Sequence, residues 1–600
     1  MGWCQDSNAV RYTRDSAAAV KPDTSAPSKT AIIFDNLQKN KKLRKAIKIF
    51  SYLNYCDIRV DRPIQDAKAF ECYKGKRIRR LEVEVVYPYG VSLDSPYYYH
   101  PTKGQAMANK FQFSTKDQVI KNEVLFKEGD VVNPELFADT ERNLWEKNIY
   151  KDIRILIEEI GDDMVDVTIY VRDRFNIGFL TSAGYNNIQV GLQFNNLFGV
   201  SQIVQVDGTF YFRNFATYHL HLGYTYSNIR RTFINIGFNG SYDILNQAGT
   251  FVVNRTFFSS NTEWAGRILF NITRNNLVLP SDKLTFSNAW VSTASEDLWL
   301  ARAFKLSGAM GVKHPLARII VSARMQRTDY MNRPYILGPN RIINFIDQNN
   351  VLGAVGIAHW DYYLDHNVYS LDKAEYFTKG VSAGLIVGFQ NDEILQRRTY
   401  LAGTLQYGLS FNNAGYWLTF VKAGAFVNPH TIDQGLIDWE NTFYTIPVKM
   451  NKWNMRSFIN TNIKLGFSRP VGREIVVDNS NDLRGLTSLY LRGIRTYGLS
   501  YEADFYYTRR VAGFSTSFFL FSDLAFIDIS SDVHRFQSGV GAGLRLRNLN
   551  IGLGFIEITL AYYPKLNVPD QHQFSLMGNI ISNRTPIKKD LFGPDLLNVD

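Results

Sequence analysis

From Arg174 onward the apolar side chains fall at every second position and no helical period persists. Tyr218, Leu220, Leu222, Tyr224 and Tyr226 alternate with Thr217, His219, His221, Gly223 and Thr225. Ile234, Ile236 and Phe238 do the same, as do Val540, Ala542, Leu544 and Leu546, and Ile556, Ile558, Leu560 and Tyr562. A period of two is a β-strand with unlike faces. Here one face is apolar with aromatic ends, and the other is small or polar. The runs reach about ten to twelve residues, longer than the usual strand of about five or six and suited to a tilted membrane crossing. In lipid every backbone N–H and C=O must pair internally, so such strands close into a barrel. Residues 173–582 are expected to form an all-β transmembrane barrel of about 16 antiparallel strands. Five strands are expected to start near Arg495, Gly513, Phe536, Asn550 and His572. The stretches 306–350 and 364–379 read as long loops on the outer face.

The preceding segment patterns differently. Residues 77–86 alternate apolar and charged side chains, as a half-exposed strand does. Residues 87–113 read as a long loop. Thr115 with Gln118 predicts a capping box opening a helix, and Asn133-Pro134-Glu135 predicts a second helix start. Leu136, Thr140 and Leu144 share a stripe on it. Two strands follow, at residues 153–157 and 165–171, joined by the turn Gly161-Asp162-Asp163. An α+β unit over 77–172 results, behind a disordered segment (1–30) and a lead-in of undefined fold (31–76). A tail (583–600) follows the barrel.

Composition narrows the class. The 600 residues carry 67 Lys+Arg against 56 Asp+Glu, a net charge of +11, and 14% of them are aromatic. That aromatic content excludes a disordered chain, and three cysteines exclude a disulfide-built miniprotein. Mean hydropathy is -0.19, as expected when apolar positions are averaged against a polar face. No apolar run is long enough for a transmembrane helix. The one dense basic run, Lys39 to Lys48, reads as a solvated helix face, and no nucleic-acid motif accompanies it. Cys56 and Cys72 are left open as a disulfide pair or two thiols. Trp3 stands where a lipid-anchored Cys4 would need a small residue. His219 and His221 lie two apart on one strand face, but no third ligand has metal-site spacing, so lumen-facing histidines are expected. No nucleophile elbow, zinc helix or phosphate loop occurs. No catalytic, cofactor-binding or metal-ligating residue is nominated.

The order strand, helix, helix, strand, strand, with "LFKEGDVV", "LFADTERNLWEKNIYKDIRI" and "DMVDVTIYVRD", resembles a POTRA domain, the periplasmic module of BamA/TamA-type outer-membrane proteins. Asp482-Leu483-Arg484-Gly485-Leu486, five strands from the end, resembles the Val/Ile-Arg-Gly-Phe/Tyr signature of the same superfamily. The resemblance implies a long loop folded into the barrel, with Leu483, Arg484, Gly485 and Leu486 as its motif. It also implies that Arg484 meets an inward acid on each of the next two strands. Alternation puts Glu502 and Asp523 on the polar faces of those strands. "NNLFG" (residues 195–199) resembles the family's turn after the first barrel strand. Leu486 replaces the usual aromatic, and one POTRA-like unit stands where principal members carry several.

From the resemblance the protein is expected in the bacterial outer membrane, with the POTRA-like domain in the periplasm. It implies a non-enzymatic assembly and insertion factor without cofactors. Its partners would be outer-membrane lipid, unfolded outer-membrane or exported client proteins, and periplasmic or lipoprotein accessory subunits, but no nucleic acid. Clients would be accepted at a POTRA strand edge and at a lateral seam joining residues 175–185 to residues 572–580. Phe175, Ile177, Phe179, Phe574, Leu576 and Gly578 are the expected seam residues. The alternatives are a polypeptide secretion pore of the two-partner type and a client-free channel.

Overall fold

The computed structural model describes residues 67–581 and Asp595, apart from residues 92, 94–99, 148, 184–186, 213–217, 260, 281–285, 307–316, 334–344, 372–373, 395, 412–413, 429–430, 470–473, 478–482, 487–490, 512–513, 531, 549–554 and 567–572. The expectations for residues 1–66 and 583–594 therefore lie outside the described residues. The chain divides into two units, residues 1–175 and 176–600.

In the first unit a 3-10 turn (Ala67–Tyr73) leads into β1 (Arg77–Val86). Then come α1 (Lys103–Lys110), α2 (Asp117–Glu123), α3 (Pro134–Glu146), β2 (Tyr150–Ile160) and β3 (Met164–Asp173). The sheet order is β1-β3-β2, with β1 parallel and β2 antiparallel to the central β3. Both outer strands thus keep one edge outside the sheet, that of β1 being taken at Arg77 and Ile78 by residues 129–131. Val165, Val167, Ile169 and Val171 of β3 are wholly buried and meet Phe137 and Leu144 from α3 and Phe126 from the α2–α3 connection. Phe126 and Phe137 stack with ring centroids 3.9 Å apart.

Two local expectations change. The segment read as a long loop contains α1, opened by a Thr102–Gln105 capping box. Thr115 does not cap α2, whose N-cap is Lys116. Its hydroxyl instead donates to Asp173 Oδ1 at 2.6 Å, and its N–H donates to Oδ2 at 2.8 Å. A buried carboxylate outcompetes the helix end for the same hydroxyl. The α3 cap is as its sequence predicts, with Asn133 Oδ1 accepting from the Glu135 N–H at 3.0 Å. Cys72 is disulfide-bonded, to a partner outside the described residues.

The second unit is a closed antiparallel barrel. Its first strands are β4 (Ile177–Ala183), β5 (Asn187–Leu197), β6 (Gln202–Tyr211), β7 (Tyr218–Tyr226), β8 (Asn235–Tyr242) and β9 (Asn246–Arg255). Longer ones follow: β10 (Trp264–Pro280), β11 (Phe286–Lys305), β12 (Ala317–Asn332), β13 (Gln348–His366), β14 (Ala374–Asp392) and β15 (Gln396–Phe411). Then come β16 (Gly415–Val427), β17 (Ile432–Thr445), a short extension β18 (Val448–Met450) and β19 (Trp453–Phe467). A two-stranded ribbon of β20 (Ile475–Val476) and β21 (Arg492–Gly493) lies within the next loop. β22 (Arg495–Tyr507), β23 (Ser515–Asp528), β24 (His534–Arg547), β25 (Phe555–Tyr562) and β26 (Phe574–Ile581) complete the wall. Because β17 pairs directly with β19, the described residues form twenty staves. Of the last five, β22 starts at the expected Arg495, β23, β24 and β26 start within two residues of the expected positions, and β25 starts at Phe555, five residues after Asn550.

The expected sixteen falls short because strands were hidden in presumed loops. β12 lies inside 306–350, and residues 364–379 belong largely to β13 and β14. The "NNLFG" turn follows β5, the second barrel strand, not the first. The two faces are those the alternation implies. On β14, Leu385, Val387 and Phe389 are exposed while Ile386, Gly388 and Gln390 are buried. His219 and His221 point to the lumen side, where Nδ1 of each lies 3.0 Å from a carboxylate, Asp243 and Asp207 respectively.

Burial pushes the Asp173 carboxyl up to about 6 from 3.8, against the opposing hydrogen bonds from Thr115. A raised carboxyl pKa means the folded state binds the proton more tightly than the unfolded state. The first unit should therefore gain stability as pH falls from about 6 towards 4, by on the order of 2 to 3 kcal/mol, and be flat in this respect above pH 7. Urea unfolding followed by tryptophan fluorescence, run at pH 7 and pH 4, should show this gain, and Asp173→Asn should abolish it.

Candidate functional site

Strand alternation sets which side of the membrane each turn occupies. β4 starts at the end where the chain enters from the first unit, so the β19–β22 connection emerges at the far end. Its two limbs pair as β20 and β21, and the Ile494 N–H donates to the Asp528 carbonyl at 2.7 Å. The loop turns back into the lumen. Leu483 and Leu486 are buried against Phe519, Phe521, Ala525, Ile527, Ala561 and Tyr563 on the inner wall. These apolar contacts deliver Arg484 to the acids.

The Arg484 guanidinium donates to Glu502 Oε2 through Nη1. Through Nη2 it donates to Ser500 Oγ at 2.7 Å and to Asp523 Oδ1 at 3.3 Å. Its backbone N–H donates to Asp523 Oδ2 at 3.1 Å, and Ser500 Oγ donates to Asp523 Oδ1 at 2.7 Å. The guanidinium lies 4.3 Å from the centroid of the Phe521 ring. Burying a guanidinium is costly unless its fork is matched by hydrogen-bonded carboxylates, which this arrangement supplies. Gly485 has φ +77, and a Cβ there would sit 2.7 Å from Met577 Cε and 2.9 Å from the Tyr563 hydroxyl. The motif therefore lies directly against β26, the last strand. Tyr563 also donates to the Arg484 carbonyl.

A second arginine was not anticipated. Arg545 of β24 is buried, with Nη1 donating to Glu502 Oε1 at 2.7 Å and Asp504 Oδ2 at 2.6 Å. Its Nε donates to Glu557 Oε2 at 2.8 Å, and it lies 3.8 Å from the centroid of the Phe519 ring. Glu502 thus bridges the loop arginine and a wall arginine. Alternation puts Arg545 on the inward face, but its partners depend on the register between β22, β24 and β25. Among the described residues no cluster of three His, Cys, Asp or Glu side chains is arranged to hold a metal.

The expected seam residues are less closely grouped. β26 pairs with β4 through Gly578↔Ala183 and Asn579↔Ser182 alone among the described residues. By contrast β25–β26 has eight pairs and β4–β5 has seven. The ladder stops at Asn579↔Ser182 although β26 continues to Ile581 and β4 extends back to Ile177. Gly578 is in the seam. Ile177 and Phe179 lie on the unpaired part of β4, and Phe574 and Leu576 are highly exposed on β26. Phe175 falls in the first unit, where its ring is 6.0 Å from that of Tyr89.

A family model for the POTRA domain, described as surface antigen variable number repeat, matches residues 112–174. Similar solved structures include BamA from Haemophilus ducreyi lacking POTRA domains 1–3, at 12% identity over 93% of this chain and 95% of that one, with a TM-score of 0.35. CdiB from Acinetobacter baumannii is similar at 12% identity over 94% and 99%, with a TM-score of 0.40. CdiB from Escherichia coli is similar at 11% identity over 95% and 93%, with a TM-score of 0.41. No curated protein sequence matches the chain. A POTRA domain joined to a closed barrel with an apolar outer face defines a POTRA-bearing β-barrel membrane protein. This chain is an outer-membrane protein of that class, with its POTRA domain in the periplasm.

Arg484→Ala leaves Glu502 and Asp523 facing each other across Ser500 without their shared cation. It should speed amide exchange at residues 483–486 by about a hundredfold, equivalent to roughly 3 kcal/mol. Arg484→Lys should recover little of this, because one ammonium cannot replace the fork. Hydrogen exchange with mass spectrometry on the detergent-solubilised chain measures both.

Proposed function

We propose that the protein is an outer-membrane assembly factor that inserts client β-strands at the β26–β4 seam. The observation carrying this reading is the shortness of that ladder: among the described residues two pairs close a wall whose neighbouring junctions have seven and eight. A strand edge with free N–H and C=O groups is a template for another strand. Ile177 to Thr181 of β4 and the end of β26, which have no partner across the seam among the described residues, are edges of this kind. Gly578 sits at the junction and adds no side-chain packing to it.

The loop motif belongs to the same reading. It braces β22 and β23 through Arg484 and touches β26 through Gly485 and Met577. It therefore supports one side of the seam and leaves β4 free to move. Insertion would be driven by the main-chain hydrogen bonds and lipid burial that the client gains, with no covalent chemistry. The outer edges of β1 and β2 offer the client an earlier docking place in the periplasm. The resemblance of the Leu-Arg-Gly-Leu loop to the BamA/TamA signature supports the same assignment.

A Ser182→Cys/Asn579→Cys pair, placed at directly opposed residues of the seam, should test this. Oxidation should reduce insertion of an added barrel client into proteoliposomes at least tenfold without changing heat-modifiable migration, and reductant should restore it. Insertion at the reduced-state rate by the locked barrel would rule the seam out.

A further inference from the structure

β13 and β14 are longer than the wall they serve. β13 pairs with β12 as far as His359↔Ala317, and β14 pairs with β15 as far as Gly380↔Gly408. From Asp361↔Lys379 to His366↔Ala374 they pair only with each other among the described residues. This part is a free two-stranded ribbon at the entry end of the barrel, the end at which β4 starts. It folds into the lumen instead of standing in the periplasm. The Tyr416 hydroxyl donates to the Thr378 carbonyl at 2.5 Å, and the Tyr363 and Tyr416 rings stack 6.0 Å apart. A Cβ at Gly408 would sit 2.1 Å from the Thr378 oxygen, so only glycine lets the ribbon lie this close to the wall.

The tip crosses to the opposite wall. Arg456 of β19 grips Asp365 with both terminal nitrogens, at 3.0 and 3.1 Å. Tyr369 packs on Phe458, with centroids 5.9 Å apart. Arg547 of β24 donates to the Leu371 carbonyl at 2.8 Å. From β14 to β24 is seven strand intervals around the wall, about 34 Å at ~4.8 Å each, so this contact can only be made across the interior. The tip is itself built: the N–H groups of Val368, Tyr369 and Ser370 all donate to Glu375 Oε2, at 3.0, 2.9 and 3.3 Å. Val368, Ser370 and Leu371 are almost wholly buried.

We propose that this ribbon is a resident plug of the periplasmic mouth, latched by Asp365 on Arg456, which bars passage through the lumen while it is seated. Traffic is thereby confined to the wall, whatever the client. The plug is separate from the Arg484 loop, which fills the lumen from the far end, and neither its residues nor its contacts belong to that motif.

The test compares single-channel conductance in planar bilayers for the full chain and a variant in which residues 362–378 are replaced by an Asn-Gly turn joining Asp361 to Lys379. With heat-modifiable migration retained, the shortened variant should conduct at least about fivefold more; equal conductance overturns the proposal and leaves the ribbon a mere brace. Should the shortened variant fail to fold, Ser370→Cys in the otherwise full chain reports on seating. Its maleimide labelling should be at least about tenfold faster when Asp365→Asn is added, and equal labelling rates overturn the latch. Neither readout uses a client, so both stand or fall apart from insertion activity.

Discussion

The structure depends on one constraint: a chain crossing lipid must satisfy each backbone N–H and C=O without water. Among the described residues twenty staves do this by closing on themselves, and every junction but one is a ladder of many pairs. The exception is the β26–β4 seam, with two described pairs. In water such a gap would be filled by solvent. In hydrocarbon its unpaired groups are a standing cost, and another strand would relieve it. The most open place in the wall is therefore also its most reactive place, in the sense of hydrogen bonding.

A barrel of this size is about 40 Å across between backbones at ~4.8 Å per strand and ~40° tilt, which leaves a lumen too wide for wall side chains alone to fill. Among the described residues two in-folded segments occupy it, and Asp595 also reaches in, 3.1 Å from the Arg324 guanidinium of β12. From the far end the Arg484 loop seats on β22, β23, β25 and β26 through buried leucines and a shared set of acids. From the entry end the β13–β14 ribbon reaches β16, β19, β22 and β24. Both brace the C-terminal half of the wall, and neither is described against β4. On the proposed reading, that asymmetry makes one lip of the seam rigid and leaves the other compliant.

Much of this was legible in the sequence, for a physical reason. A strand with lipid on one side and a packed lumen on the other must alternate, so Glu502 and Asp523 were placed on inward faces by counting residues. Arg545 was on the same face by the same count, but its choice of Glu502, Asp504 and Glu557 is a matter of register, which alternation does not encode. The ribbon was misread because it has no lipid face: "YLDHNVYSLDKAEYFTK" mixes polar and aromatic residues on both sides and so looks like a loop. β12 was hidden because Ile320 takes an inward position, so that Ile319-Ile320-Val321 breaks the alternation of apolar with small or polar residues. Thr115 was read as a cap because a capping box is a local signal, whereas its partner Asp173 lies 58 residues away.

The central claim is that the seam serves other membrane proteins. Depletion of the protein in its native cell, followed by quantitative mass spectrometry of the outer membrane, tests this most directly. Several unrelated barrel proteins should fall together, with their unfolded forms accumulating in the periplasm. An outer-membrane proteome that stays unchanged, or that loses only a single exported polypeptide, would contradict it.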